Sequence, residues 1–200
     1  MKEKLINSIK DNIKTLIYAL LIAVVIRSLL IQPFYIPSSS MEPTLLIGDR
    51  IFVSKLSYGF SKHSFPFSPP IYNNRVFFDK PQHGDLVVFK LPADNRTDYI
   101  KRLIGVPGDT IQFLNGEIYL NDKKIPREPV NANYIIRCGQ SDLEVKAYKE
   151  TLPNGISYIA VYNKAGTMMN TDKYIVPSNH YFFLGDNRDC SKDSRFLSSV

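Results

Sequence analysis

From Leu16 to Ile26 every residue is apolar or tyrosine, and after Arg27-Ser28 the run resumes at Leu29-Leu-Ile31. This is the membrane-length apolar run of the chain. A helix over these sixteen residues is about 24 Å long, against a bilayer hydrocarbon core of about 30 Å. The span becomes sufficient when Ile13 joins it and Lys14 and Arg27 reach toward the two interfaces. Three readings compete. A cleaved signal peptide needs small residues at a processing site, and Leu30-Ile-Gln-Pro33 offers none. A helix buried in a soluble domain would present no polar face between residues 16 and 26. A single membrane anchor fits best. Lys2, Lys4, Lys10 and Lys14 outweigh Glu3 and Asp11 ahead of the span, which puts the N-terminus in the cytoplasm and everything after Pro33 outside it. The expected organisation is a cytoplasmic segment at 1–15, a transmembrane anchor at 16–32 in the cytoplasmic (inner) membrane, and a domain at 33–200 on the periplasmic side.

Beyond the anchor, helix signals are nearly absent. Arg50-Ile-Phe-Val-Ser-Lys55, Gly84-Asp-Leu-Val-Val-Phe89 and Tyr99–Ile104 read as short strands. Thr110–Leu114 and Glu117–Leu120 flank Asn115-Gly116, the strongest local signal for a β-hairpin. Residues 121–180 form a more polar peripheral excursion with strands expected near 143–150 and 156–162. Lys173–Val176 and Tyr181–Leu184 return to the core. The pattern predicts an all-β domain of mostly antiparallel sheets, a core with a smaller peripheral β excursion, preceded by one transmembrane helix. Residues 58–78 are rich in aromatics and proline without a clear period. They read either as an irregular loop packed by its own rings or as an apolar patch that enters the lipid interface.

Composition narrows the function. Apolar residues make up 44% and charged residues 22%, as in a folded protein. The formal charge is +6, but beyond residue 15 the basic residues are scattered, with no basic helix or stripe, which argues against nucleic-acid binding. His63, His83 and His180 are isolated and read as surface or turn residues, and no cluster suggests a metal site. Cys138 and Cys190 are too few for a disulfide framework, and the sequence leaves open whether they pair.

The chemistry points to Ile36-Pro-Ser-Ser-Ser-Met-Glu-Pro-Thr-Leu45, three serines between prolines with no histidine nearby. A serine hydroxyl is a poor nucleophile until a base takes its proton. Lys101 can be that base if its pKa falls from about 10.4 toward neutrality, which desolvation achieves by penalising the ammonium form. Strand alternation places Tyr99, Lys101 and Leu103 on one face, so the amine sits between large apolar neighbours. Arg102 points to the other face and adds a positive charge nearby. The competing reading is an exposed edge-strand lysine. Gly185-Asp-Asn-Arg-Asp-Cys-Ser-Lys-Asp-Ser-Arg195 reads as a rigid turn that orients other groups, against a plain polar loop or a calcium loop; calcium is disfavoured by the interspersed Arg188, Lys192 and Arg195.

These boxes, with Tyr99-Ile-Lys-Arg-Leu-Ile-Gly-Val-Pro-Gly-Asp109, resemble in content and order those of bacterial type I signal peptidases, which are serine proteases with a Ser–Lys dyad. The likeness runs from the anchor nearly to the last residue. It implies Ser40 as nucleophile and Lys101 as neutral general base. It implies an oxyanion hole from the Ser40 N–H and the Ser38 hydroxyl, a hydrogen bond from Ser191 to Lys101, and a supporting ion-pair network of Asp193 and Arg195 with Arg102. It places shallow pockets for small side chains at Phe34, Ile36, Pro37, Met41, Leu45, Tyr99 and Ile100. The implied substrates are signal peptides of secretory preproteins, bound as an added strand and cut after an Ala-x-Ala-like sequence. The partners are then these peptides and the lipid bilayer, with no cofactor and no metal.

Two features depart from the resemblance. Cys190 stands where asparagine is common, and the chain stops at Val200, where such proteins usually continue into a Gly-aromatic-Val-Pro segment and a closing strand. The expectation is truncation or a differently finished edge. Asn95-Arg-Thr97 matches a glycosylation sequon, a weak motif. Two other functions fit parts of the sequence. An anchored β domain that captures extended peptides without cutting them shares every feature except the need for a buried amine. A Ser–Lys protease that cleaves itself to control a repressor is disfavoured by the anchor and by the lack of a DNA-binding helix pair.

Overall fold

The computed structural model describes residues 2–65, 75–163 and 170–196. The chain divides into two compact units, residues 1–34 with 50–80, and residues 35–49 with 81–200.

The first unit is built on helix α1 (Lys2–Leu29). Its stretch Ile6–Leu29 is long and apolar enough to cross a membrane, and it is the one such helix among the described residues. The side chains of Leu16, Ile17, Leu20, Leu21 and Ile22 remain exposed, so no face of the helix is reserved for a protein core. Proline ends the helical run, and strand β1 (Ile31–Tyr35) follows and pairs with β2 (Arg50–Ser54). Pro33 is tolerated because a two-stranded sheet is all edge. The Lys55 N–H donates to the Leu30 carbonyl at 2.9 Å, tying the exit of α1 to the end of β2. In the aromatic-rich stretch, Phe60 bridges Val76, and Phe77 and Phe78 are exposed. Residues 66–74 of that stretch, and with them part of the expected lipid-facing patch, lie outside the described residues.

The second unit is antiparallel β. Strand β3 (Leu86–Lys90) pairs with β4 (Asp98–Gly105), and β5 (Thr110–Leu114) pairs with β6 (Glu117–Leu120), which pairs in turn with β7 (Lys123–Lys124). Two long strands, β8 (Arg127–Cys138) and β9 (Ser141–Thr151), make a hairpin that continues into β10 (Ser157–Tyr162). Strand β11 (Tyr174–Ile175) joins β5, and β12 (Phe182–Leu184) joins β4. The sheet orders are β10-β9-β8, β11-β5-β6-β7 and β12-β4-β3.

The Asn115-Gly116 turn shows why the sequence specifies its hairpin. Both residues adopt positive φ, 51° and 71°, the conformation that matches the twist of the flanking strands. The resulting register sets Ile111 opposite Leu120 and Phe113 opposite Ile118, four apolar side chains on one buried face. They form the main core with Ile104, Ile125, Val176, Phe182 and Leu184. The β8–β10 sheet has a polar sequence, yet it supplies Leu152, Tyr158 and Ala160 to the same core. Its other buried residues, Ile136, Val145, Ala147 and Val161, form a second, smaller cluster.

If this core carries the domain, Ile111→Ala should cost about 2–5 kcal/mol. The urea midpoint of the detergent-solubilised protein should fall, and an unmoved midpoint would contradict the assignment.

Candidate active site

Strand β4 carries the candidate base. Lys101 faces Val87 across the β3 pairing, lies between Tyr99 and Leu103 on its own strand, and shares that face with Phe89 and Phe183. Phe89 and Phe183 stack with ring centroids 4.6 Å apart. The Lys101 Nζ lies 5.2 Å from the centre of the Tyr99 ring. Only 3% of the residue is exposed. A charged amine in such a place loses hydration that the rings and aliphatic chains do not replace. Burial therefore lowers the Lys101 pKa to about 8, and the nearby carboxylates of Asp193 and Asp186 moderate the fall. The extra push expected from Arg102 does not arise, because Asp186 neutralises that guanidinium directly.

The nucleophile candidate comes from the loop between β1 and β2. Ser39–Met41 forms a short 3-10 turn, and Ser40 is buried in it. The Ser40 Oγ lies 2.6 Å from Lys101 Nζ, across 61 residues of sequence. Lys101 Nζ also donates to the Ile100 carbonyl at 2.9 Å, which fixes the amine's direction. Ser38 is exposed, and its Oγ is 3.4 Å from the Ser40 Oγ.

Three arginine–carboxylate pairs surround this contact. Arg102 grips Asp186 with Nε and Nη2 at 2.8 and 2.7 Å and donates to the Gly84 carbonyl at 2.8 Å. Asp186 also accepts the Thr44 hydroxyl at 2.5 Å, so one carboxylate joins the serine loop, the lysine strand and the 185–195 segment. Arg195 grips Asp193 with Nε and Nη2 at 2.8 and 2.9 Å, and Asp193 accepts the Gly185 N–H at 3.0 Å. Arg188 pairs with Glu150 at 3.0 and 2.7 Å, and Tyr158 and Tyr162 donate their hydroxyls to the same carboxylate. Burial makes both hydroxyls harder to ionise. Asn187 adds direct contacts to the serine turn, from its Nδ2 to the Ser39 carbonyl at 3.1 Å and from its N–H to the Ser40 carbonyl at 3.2 Å.

The structure thus brings Ser40, Lys101 and Ser38 together and separates parts of the expected support. Arg102 does not join Asp193 and Arg195 in one network; its partner is Asp186. Ser191 Oγ is buried without a hydrogen-bond partner, so the bond expected from it to Lys101 is not made. Of the expected pocket residues, Ile36 and Met41 are buried, Leu45, Tyr99 and Ile100 are half-buried, and Pro37 is exposed. Phe34, half-buried, lies on β1 in the unit that carries α1. The acids of 185–195 are engaged by protein groups, Asp186 and Asp193 by arginines and Asp189 by the Asn163 N–H at 2.6 Å. His83 is not isolated; its Nε2 lies 2.6 Å from Asp109 Oδ2.

Sequence reasoning missed Thr44, Glu150, Asp186, Asn187 and Arg188. An inward-facing Arg102 does call for a carboxylate. Finding Asp186 needed the β4–β12 register, in which Leu184 lies opposite Arg102. Glu150 gave no signal, because it sits in a strand whose exposed face is charged throughout.

A family profile described as "Signal peptidase, peptidase S26" matches residues 9–200. "Signal peptidase I" of Rickettsia typhi is 44% identical, over 94% of this chain and 73% of the relative. The protein of the same name from Rickettsia canadensis is 46% identical, over 91% and 71%. Among solved structures, a signal peptidase I from Enterococcus faecalis aligns over 61% of this chain and 90% of its own, at 26% identity and a TM-score of 0.34.

The buried amine has a cost that can be measured. The unfolded chain holds a proton on Lys101 up to about pH 10.5, while the folded chain releases it near 8, so stability rises across that window. Lys101→Met should therefore be more stable than wild type at pH 7, by on the order of 3 kcal/mol, with the gap closing toward pH 10.5. Identical denaturation midpoints at both ends of the window would contradict the assignment.

Proposed function

The chain belongs to the S26 signal peptidase family, and from that premise we propose that it is a membrane-bound serine endopeptidase in which Ser40 attacks and neutral Lys101 is the base. The family makes it a peptidase that removes signal peptides. The dyad, the preference for small residues and the sidedness are our reading.

The observation that carries this reading is the 2.6 Å contact between Ser40 Oγ and an amine that is buried and has a pKa of about 8. At pH 7 about a tenth of such an amine is neutral, against less than a thousandth of an exposed lysine. A peptide-capturing domain that does not cut has no use for a buried lysine, which reduces stability.

The steps follow from the geometry. Strand β12 pairs with β4 only from Arg102 onward, so the β12 side of residues 98–101 is an open edge. An extended signal peptide adds there as a strand, which brings its scissile carbonyl to Ser40. Lys101 takes the Ser40 proton as Oγ forms a bond to the carbonyl carbon. The Ser40 N–H, in the first turn of the 3-10 segment, and the Ser38 hydroxyl receive the negative charge on the carbonyl oxygen; each donor is worth about 3 kcal/mol. The Lys101 ammonium then gives its proton to the departing amine, the C–N bond breaks, and an ester on Ser40 remains. Neutral Lys101 next takes a proton from water, which attacks the ester, and Ser40 regains its proton as the signal peptide's new carboxylate leaves. Arg102–Asp186 ties β4 to the 185–195 segment, Asp193–Arg195 braces that segment internally, and the Ile100 carbonyl directs the amine.

Pro37, Tyr99 and Ile100 keep enough exposure to line shallow pockets with Leu45, while Ile36 and Met41 are buried; such pockets select small side chains such as alanine. Anchoring by α1 confines enzyme and signal peptide to one surface, which raises their effective concentration. The lysine excess ahead of the span places the N-terminus in the cytoplasm and the catalytic unit outside.

Incubation of the detergent-solubilised protein with a preprotein bearing Ala-x-Ala tests this directly. Mature protein should appear, and Ser40→Ala and Lys101→Ala should each lower the rate by about 10²-fold or more. No cleavage by wild type sinks the reading, and unchanged cleavage in either variant removes that residue from the mechanism. The rate should rise about tenfold per pH unit below 8 and level off above it, because only the deprotonated amine is a base. A flat profile contradicts a lysine base.

A further inference from the structure

Cys138 and Cys190 form a disulfide, with their Cα atoms 5.6 Å apart. The bond joins the end of β8 to the 3-10 turn Arg188–Cys190, and the next residue is Ser191. A second tie starts from the same hairpin tip. Strand β8 is the edge of its sheet, so alternate N–H groups face away from β9. That of Arg137 donates to Glu42 Oε2 at 3.2 Å. Glu42 is a buried carboxylate two residues beyond Ser40.

The two ties meet at the catalytic contact. Ser191 and the Ser40 carbonyl both crowd the place that a Cβ at residue 185 would occupy, 2.3 Å from Ser191 Oγ and 2.4 Å from the Ser40 oxygen. The Ser191 segment and the serine turn therefore pack against the same glycine, which leaves no room there for a side chain. The result is a closed circuit: Ser40, Glu42, Arg137, Cys138, the disulfide, Cys190, Ser191, Gly185 and back to Ser40.

We propose that the β8–β9 hairpin tip is a clamp, with Glu42, Cys138 and Cys190 acting as positioning residues that hold the Ser40 turn and the Ser191–Asp193 segment in register. This rests on the Ser40–Lys101 reading above. The clamp acts on the distance from hydroxyl to amine and on the dryness of the amine. Opening it lets the serine turn and the Asp193 segment separate and admits water to Lys101. The main-chain edge of β4 and the contacts of Tyr99 and Ile100 lie outside the circuit, whereas Met41 and Leu45 move with the serine turn.

The full-length protein in detergent is compared as wild type, C138A/C190A, Glu42→Ala and Glu42→Gln, with kcat, KM, the pH–rate profile and thermal midpoint measured for each. The double variant should lose about ten- to a hundredfold in kcat, with a smaller change in KM because the β4 edge that binds the peptide strand is untouched. Its acid limb should move to higher pH, toward an ordinary lysine. Glu42→Ala should move both readouts in the same direction, and Glu42→Gln should restore most of the loss, because the amide oxygen still accepts from Arg137. Where the double variant fails to fold, wild type reduced with dithiothreitol below its thermal midpoint takes its place, and reoxidation should restore the rate. A lower thermal midpoint with kcat and acid limb unchanged overturns the clamp and leaves a plain staple. Wild type that cleaves no preprotein overturns the dyad reading itself, a result distinct from a cleaving wild type with unaffected variants.

Discussion

A single amine held out of water beside a single hydroxyl organises this domain. Lys101 sits on a strand face otherwise made of Val87, Phe89, Tyr99, Leu103 and Phe183, and its Nζ is 2.6 Å from Ser40 Oγ. Desolvation lowers its pKa to about 8 against the opposing field of two carboxylates. The carboxylates are needed for another purpose, since Asp186 and Asp193 bind the arginines that hold the loops together. The fold thus balances dryness against charge: enough burial to free the amine's lone pair, and enough fixed acid to keep the surrounding arginines neutralised.

Those arginines explain how distant segments of the chain meet. Asp186 links Thr44 of the serine loop to Arg102 of β4, and Arg188 fastens the same segment to Glu150 of β9. Each pair is almost fully buried and bidentate. Such pairs add little net stability compared with apolar packing, yet breaking one leaves an uncompensated charge and costs about 3–5 kcal/mol. Their benefit is geometric. A charge that can be satisfied in only one arrangement fixes the register of loops that hydrophobic packing alone would leave free to slide.

Where a local rule determined the outcome, the sequence was legible. Asn115-Gly116 specified its turn and, through the turn, the register that buries Ile111, Phe113, Ile118 and Leu120. Alternation along β4 placed Lys101 on an apolar face and Arg102 on the other. The apolar run from Leu16 to Leu29 falls within the one candidate span among the described residues, Ile6–Leu29, while Ile31 already belongs to β1. What stayed hidden depended on pairings between residues far apart in sequence. Glu150 looked like one more charge on a polar strand until β9 was laid beside the 185–195 segment. The network expected from Arg102, Asp193 and Arg195 split into separate pairs, because the β4–β12 register brings Asp186 to Arg102 first. Ser191 lies next to Gly185 and the Ser40 carbonyl with its hydroxyl unpartnered, an orientation set by the packing of that turn. The 12-residue strand β8 contains Pro129 and polar residues, and it is held as a strand by pairing with β9, across a register shift between Val130 and Tyr134, rather than by its own composition.

Direct titration of the Lys101 amine is the sharpest test of the account. Selective ¹⁵N labelling of lysine, with Lys101→Arg to assign the resonance, allows its Nζ shift to be followed from pH 6 to 11 in the detergent-solubilised protein. The account predicts a midpoint near 8, as the burial of this side chain requires. A midpoint near 10.5, that of a lysine in open water, would contradict it.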